Sequence, residues 1–313
     1  MRDAFIDSLS RLAEQDDRIL LITGDLGFGV LNDFAARFPK QFLNAGVAEQ
    51  NMTLMASGMG MDGRTVFTYS IGNFPTLRAL EMIRNDACYH NANVKVVCIG
   101  GGFSYGQLGI SHHATEDLAI LRALPNITVV APGDDYETVE ATKAITALPG
   151  TCYLRLDRAS MTVESTTGEP FVLGRARTVR RGDDVTLMST GGMLGEAMKA
   201  AELLAKQGIE CSVVSMHTLK PLDTDAIRDA VENTPLLVTL EEHVVEGGLA
   251  GAVSETCLEN GWIPRGFVRI GLQSKFSSIV GDQDYLRAQY GLDALAVSKR
   301  VLEKMESMVT ASR

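Results

Sequence analysis

Cysteine is scarce in this chain: five residues in 313, an odd number, widely spaced and without a Cys-x-x-Cys pair. That excludes a disulfide framework or a zinc site of ordinary ligand spacing, and leaves the thiols to be read as buried hydrophobes. No apolar run reaches the roughly 18 residues that a membrane-spanning helix needs. The opening Met1-Arg2-Asp3-Ala4-Phe5 also lacks the apolar stretch of a signal peptide. A cytoplasmic protein with no membrane partner is expected. Positive charge is in deficit, with 29 Lys and Arg against 39 Asp and Glu for a formal charge of −10. The one basic run, Arg175, Arg177, Arg180 and Arg181, has the spacing of a solvated strand or linker face. Nucleic acid is not an expected partner. No Gly-x-x-x-x-Gly-Lys-Ser/Thr occurs, which excludes a P-loop.

What the chain does have is the making of two α/β units. Its length exceeds what one average core organises, and 45% hydrophobic against 22% charged residues is an ordinary globular balance. Apolar runs at 19–23, 65–69, 94–99, 127–131 and 152–156 read as buried strands, with helical patterns between them that include 51–61 and 134–148. Such alternation implies a largely parallel sheet covered on both faces. The rhythm breaks at 160–184, rich in Ser, Thr, Gly and basic residues. It resumes with strands at 185–189, 211–215, 236–240 and 264–270 and helices at 194–206, 224–232, 249–260 and 292–308. The expectation is a first domain over 1–165, a linker over 166–184 and a smaller α/β domain over 185–313.

Several segments have the residue types that chemistry needs. Gly24-Asp25-Leu26-Gly27-Phe28-Gly29 follows a strand, but its spacing is not that of a dinucleotide fingerprint, and a plain strand-to-helix turn explains it equally well. Glu49 opens an otherwise apolar, small-residue helix. A carboxylate so placed loses hydration and becomes able to share a proton with a nitrogen base, although an acid at a helix start is also favoured by the dipole alone. Tyr69, Phe74 and Arg78 surround a loop-to-helix transition, where aromatics either fill the core or offer a stacking face to a flat heterocycle. The loop Gly106-Gln107-Leu108-Gly109-Ile110-Ser111-His112-His113 ends in adjacent histidines, which on an extended chain point to opposite sides, so they do not form a metal site but one can face a cleft.

The combination resembles a known family. Asp25, the Gly-x-Ala-Glu-Gln at 46–50, the block 78–86, the Ser-His-His loop, the Arg-Ala-Leu-Pro-Asn at 122–126 and the Leu-Arg-Leu-Asp-Arg at 154–158 look like the pyrimidine-binding domain of the transketolases. Val185–Met188, Lys220-Pro221-Leu222-Asp223 and the stretch from Glu241-Glu242-His243 to Gly247-Gly248-Leu249 are similar to that family's C-terminal domain. The implied fold is a thiamine-diphosphate-type pyrimidine-binding parallel-sheet domain followed by a smaller α/β domain. Full-length transketolases begin with a further domain that binds the diphosphate through a metal with a Gly-Asp-Gly…Asn motif, and no Gly-Asp-Gly occurs here. The resemblance is therefore to the second half of a split enzyme. It implies a separate N-terminal subunit that carries the diphosphate and Mg2+ or another divalent cation, assembly into a heterotetramer, and an active site formed between subunits that takes small sugar substrates.

By the same resemblance, Glu49 hydrogen-bonds the cofactor's pyrimidine and promotes formation of the nucleophilic ylid. Asp25, Tyr69, Phe74 and Arg78 belong to the cofactor site, the two aromatics as stacking faces, and no metal ligand is expected in this chain. His112 contacts substrate oxygens near the reacting carbon, and Arg155 holds the substrate's distal phosphate. Two departures from the family pattern stand out. Leu108 replaces the loop Asp that contacts the acceptor's α-hydroxyl, and Gln107 replaces the Glu before it. Gly100 stands where a phosphate-contacting histidine is expected, which implies a roomier entrance. The expected reaction is transfer of a two-carbon ketol unit to an atypical carbonyl acceptor. The alternatives are the beta subunit of a 2-oxoacid dehydrogenase, which shares the layout and the glutamate, and a non-catalytic regulatory partner of a transketolase-like subunit.

Overall fold

The computed structural model describes residues 1–311. Its first six strands are β1 (Ile19–Thr23), β2 (Phe42–Asn44), β3 (Thr65–Ile71), β4 (Val94–Ile99), β5 (Ile127–Val130) and β6 (Thr151–Leu156), all mutually parallel where they pair. β1, β4 and β6 are buried along their whole length, as strands covered on both faces must be. Side-chain alternation divides the core. Leu21, Phe67, Val97 and Leu154 point to the face covered by α1 (Arg2–Ala13) and α6 (Asp135–Ala147). Leu20, Ile22, Val66 and Val96 point to the face where Met52 and Ala56 of α3 (Glu49–Met61) pack. Between these lie α2 (Asn32–Arg37), α4 (Leu80–Met82) and α5 (Asp117–Ala123).

The second sheet has the order β12-β11-β8-β9-β7, from β7 (Arg177–Arg180), β8 (Val185–Ser189), β9 (Cys211–Ser215), β11 (Leu236–Val244) and β12 (Gly266–Leu272). α7 (Met193–Ala205), α8 (Thr224–Asn233), α9 (Leu249–Asn260), α10 (Gln283–Gln289) and α11 (Ala294–Ala311) complete this half. α8 starts as its sequence directs, with the Asp223 carboxylate accepting from the Ala226 amide. Three strands escaped the sequence reading, the first being β2 at the far edge of the first sheet. β7 lies inside the range expected to be linker and pairs antiparallel with β9. β10 (Thr218–Lys220), from the second half of the chain, adds antiparallel to β5 as the edge of the first sheet, whose order is β10-β5-β6-β4-β3-β1-β2. Edge strands of three or four residues are too short to show a period-two pattern. All five cysteines are free and buried, and no helix among the described residues is long and apolar enough to cross a membrane.

The halves are locked by buried charge. Arg287 on α10 pairs with Glu242 of β11 and lies 3.3 Å from Asp157, one residue beyond β6. Arg155 on β6 donates to Asp117, to the Ala114 carbonyl and to the Glu242 carbonyl, each at 3.0 Å.

Candidate active site

The carboxyl ends of a parallel sheet are where its connections leave room for a ligand, and the candidate residues gather there. Asp25 follows β1 in the left-handed region (φ 57°), a conformation Asp tolerates better than most residues. Asn44, at the end of β2, holds it by accepting from the Asp25 amide at 3.0 Å and donating to its carboxylate at 3.1 Å; the same Asn44 oxygen also accepts from the Gly46 amide. This turn leads directly into α3 and sets Glu49 at the helix start.

Glu49 is 2% exposed. Its Oε2 accepts from Arg78 Nη1 at 2.9 Å, and Oε1 has no hydrogen-bond partner among the described residues. The helix N-terminus and the guanidinium offset its burial. Gly24 faces it, and a Cβ there would lie 3.8 Å from Oε1. A desolvated carboxylate with one oxygen free fits a nitrogen base that presents an N–H. Arg78 also lies over the Phe74 ring, 4.8 Å from its centroid, and Phe74 meets His112 edge to face at 5.2 Å. Glu49, Arg78, Phe74 and His112 therefore form one contiguous surface.

The histidine question resolves by burial. His113 is inside the fold, edge-on to Phe103 at 4.9 Å, and burial lowers its pKa. His112 is half-buried beside Phe74, and desolvation lowers its pKa too, which keeps the imidazole neutral at pH 7. Gly72 allows this approach, since a Cβ there would stand 2.9 Å from the His112 carbonyl oxygen. Beyond His112 opens a cleft of about 360 Å³ lined by Arg2, Ser104, Tyr105, Gly106, Gln107, Leu108, Arg158, Asp282 and Gln283. Leu108 is 56% exposed there, and the Arg158 guanidinium sits 5.5 Å from the Tyr105 ring centroid.

Three sequence expectations need correction. Tyr69 offers no stacking face. Strand alternation turns it into the core under α1, 1% exposed and parallel to Phe5 at 6.2 Å. Arg155 does not face the cleft; it lies within β6, 2% exposed, with its guanidinium committed to Asp117 and two carbonyls. Gly100 does not widen the entrance, because the Tyr105 ring occupies the space a side chain at Gly100 would take. The sequence reading missed Arg2 as a cleft residue and gave Arg158 no role. For Arg158 a signal existed: it lies beyond the carboxyl end of β6, where ligands bind, whereas Arg155 lies inside the strand. Among the described residues no group of three or more His, Cys, Asp or Glu is arranged to hold a metal ion.

Comparison with known proteins finds matches over most of the chain. A family model described as the transketolase pyrimidine-binding domain matches residues 1–163, and one described as the transketolase C-terminal domain matches residues 174–297. The chain is 37% identical to a transketolase C-terminal section of Methanocaldococcus jannaschii, covering 98% of this chain and 96% of that protein. It is 36% identical to one subunit of the apulose-4-phosphate transketolase of Phocaeicola vulgatus, covering 96% of each. A solved structure of a split-gene transketolase, described as an inactive beta4 tetramer, superimposes with a TM-score of 0.86 at 34% identity over 97% of each chain.

Proposed function

The chain belongs to the transketolase family, and from that premise we propose that it is the pyrimidine-binding subunit of a split, thiamine-diphosphate-dependent transketolase that moves a two-carbon ketol unit from a ketose to a carbonyl acceptor. The observation that carries this reading is the contiguous surface of Glu49, Arg78, Phe74 and His112 at the carboxyl ends of the first sheet. When bound, thiamine diphosphate supplies the nucleophilic carbon and the electron sink that C–C cleavage requires.

The chain's own residues supply recognition and proton handling. The free Oε1 of Glu49 would share a proton with the pyrimidine ring nitrogen, Arg78 fixes the carboxylate's orientation, and Phe74 offers the half-exposed ring face. Asp25, held by Asn44, belongs to the cofactor side of the site. Neutral His112 hydrogen-bonds substrate oxygens near the reacting carbon. Arg2 and Arg158 take a distal anionic group, in the role the sequence assigned to Arg155. Leu108 gives the cleft an apolar wall where family members use a carboxylate, which supports an acceptor without a recognised α-hydroxyl there.

A separate subunit holds the diphosphate and its divalent cation, Mg2+ or another. Phe28 and Val47, 79% and 72% exposed beside Asp25 and Glu49, are apolar side chains suited to cover by such a partner. The relative named as one subunit of its transketolase supports a separate partner subunit, and the neighbour described as a beta4 tetramer supports self-association; a heterotetramer joins the two in this reading. Reconstitution tests the reading. The purified chain mixed with its partner, thiamine diphosphate and Mg2+ should cleave a ketose phosphate, neither subunit should do so alone, and Glu49→Gln should abolish turnover while assembly persists. Pyruvate decarboxylation without ketose cleavage would refute it.

A further inference from the structure

A second cavity, of about 350 Å³, opens at the carboxyl end of β12 in the C-terminal half and shares no lining residue with the cleft beside His112. Two of the residues around it are Lys275 and Arg300, and none is a carboxylate. In a chain of net charge −10 both charges lining this cavity are of the minority sign. Neither cation makes an ion pair or a side-chain hydrogen bond among the described residues, and both are exposed. Lys199, Arg228 and Lys143, also exposed cations, each pair with a carboxylate three residues away on their own helix.

The remaining walls add polar and flat surfaces. The Tyr290 hydroxyl donates to Ser277 Oγ at 2.8 Å, and Ser277 Oγ donates to the Ile279 carbonyl at 3.0 Å, so the pair is oriented with acceptor capacity left on both oxygens. The Gln273 side-chain amide, exposed and without a partner among the described residues, stands on the same rim. Tyr290 lies nearly parallel to buried Phe103, with centroids 5.4 Å apart, which makes a rigid back wall.

We propose that this cavity is a binding site for a small phosphate monoester. Two cations without internal partners match a dianionic headgroup, because each can give it a charge-assisted hydrogen bond without first breaking another. The hydroxyl pair, Gln273 and the aromatic wall suit the polyol of such an ester, and the volume holds more than a bare phosphate ion. The site needs neither a partner subunit nor the proposed reaction. Phe103 begins the loop that carries His112, closed at its base by the Gly102–Ala114 bridge, so an occupant would touch the reverse side of that loop.

The test is calorimetric titration of the full chain with glycerol 3-phosphate at fixed ionic strength, with neutral glycerol and inorganic phosphate as separate probes. Saturable binding of glycerol 3-phosphate is expected, with none for glycerol and weaker binding for phosphate. Because the cleft also carries arginines, the decisive comparison is between Lys275→Gln/Arg300→Gln and Arg2→Gln/Arg158→Gln. The first pair should lose affinity by roughly tenfold or more, about 1.4 kcal/mol, while the second keeps it. Both Lys275 and Arg300 are exposed and unpaired, so the thermal unfolding of that variant should match wild type. Affinity unchanged in Lys275→Gln/Arg300→Gln, loss confined to Arg2→Gln/Arg158→Gln, or a linear isotherm would overturn the proposal.

Discussion

Arg155 and Arg158, three residues apart, should fail in opposite ways when their charge is removed. Arg155→Gln strips three hydrogen bonds, those to Asp117 and the Ala114 carbonyl within the first half and the one to the Glu242 carbonyl across the boundary. It leaves the Asp117 carboxylate, 1% exposed and also bonded by Tyr153, without its cation. Breaking one side of a buried ion pair costs about 3–5 kcal/mol. Arg158 is exposed, and its one side-chain contact of note is the Tyr105 ring at 5.5 Å, so Arg158→Gln should cost about 0.5–1 kcal/mol of stability at most. Its effect belongs to catalysis. If Arg158 grips a distal phosphate, losing a hydrogen bond to a charged group removes about 1.5–3 kcal/mol, or roughly 10- to 150-fold in kcat/KM, and a substrate without phosphate should feel little of it. Urea denaturation of the two variants, with kinetics of the reconstituted enzyme on a phosphorylated ketose and its dephosphorylated form, separates the effects. A stable Arg155→Gln that loses phosphate preference, beside an Arg158→Gln that keeps it, would show that the sequence reading of Arg155 was right and the cleft assignment wrong.

Phe74→Ala should weaken thiamine diphosphate binding to the assembled enzyme by about 1 kcal/mol or more, whereas Tyr69→Ala should cost about 3–5 kcal/mol of folding stability with cofactor affinity retained in the folded fraction; equal loss of affinity in both would restore Tyr69 to the site. His217, buried against Phe171 at 4.2 Å, has its pKa lowered to about 3, first by burial and then by Arg177. The unfolded chain takes up that proton from about pH 6.5 downward while the folded chain does not, so stability should fall as pH drops from about 6.5 toward 3, by about 2–3 kcal/mol at pH 4.5. Denaturation at pH 7 and 4.5 should show a smaller drop in His217→Gln, and an equal drop would exclude His217 as the cause. Leu108→Asp should raise kcat/KM for α-hydroxylated over deoxy acceptors, and a wild-type preference already near a thousandfold, about 4 kcal/mol, would make Leu108 a packing residue only.

The strands that cross the core were legible because buried parallel strands are continuous apolar runs: β1, β4, β8 and β9 fall at the residues their composition indicates. α3 and α9 were legible for a similar reason. The short edges were not, since β2, β7 and β10 owe their place to pairing partners far away in sequence. Glu49 could be singled out because a lone carboxylate among small apolar residues is a local contradiction that needs a cause. Tyr69 could not be judged the same way, because a strand of seven residues, nearly all buried, gives no sign of which face meets a helix and which a ligand. Arg155 is a related case: its expected role rested on the family resemblance, and its buried partner Asp117, 38 residues away, leaves no trace in the local sequence.

Two of the corrected positions, Gly100 and Arg155, lie where the C-terminal half meets the loop that carries His112. The Gly100-Gly101-Gly102 run reads from sequence as open space, yet Cβ atoms there would collide with the Tyr105 ring, the Arg155 guanidinium and the Glu242 carboxylate in turn. Glu242 belongs to the second half of the chain and accepts from the Phe103 amide at the start of the His112 loop. Burial raises its pKa, an effect opposed by Arg287, and Gln283 donates to both its oxygens. The loop carrying His112 is therefore fixed at its base by a buried charge network that neither half could assemble alone. Separating the halves would leave Glu242 and Arg155 without their partners across the boundary, so the position of His112 depends on side chains more than a hundred residues away, and no local pattern around the loop could have announced it.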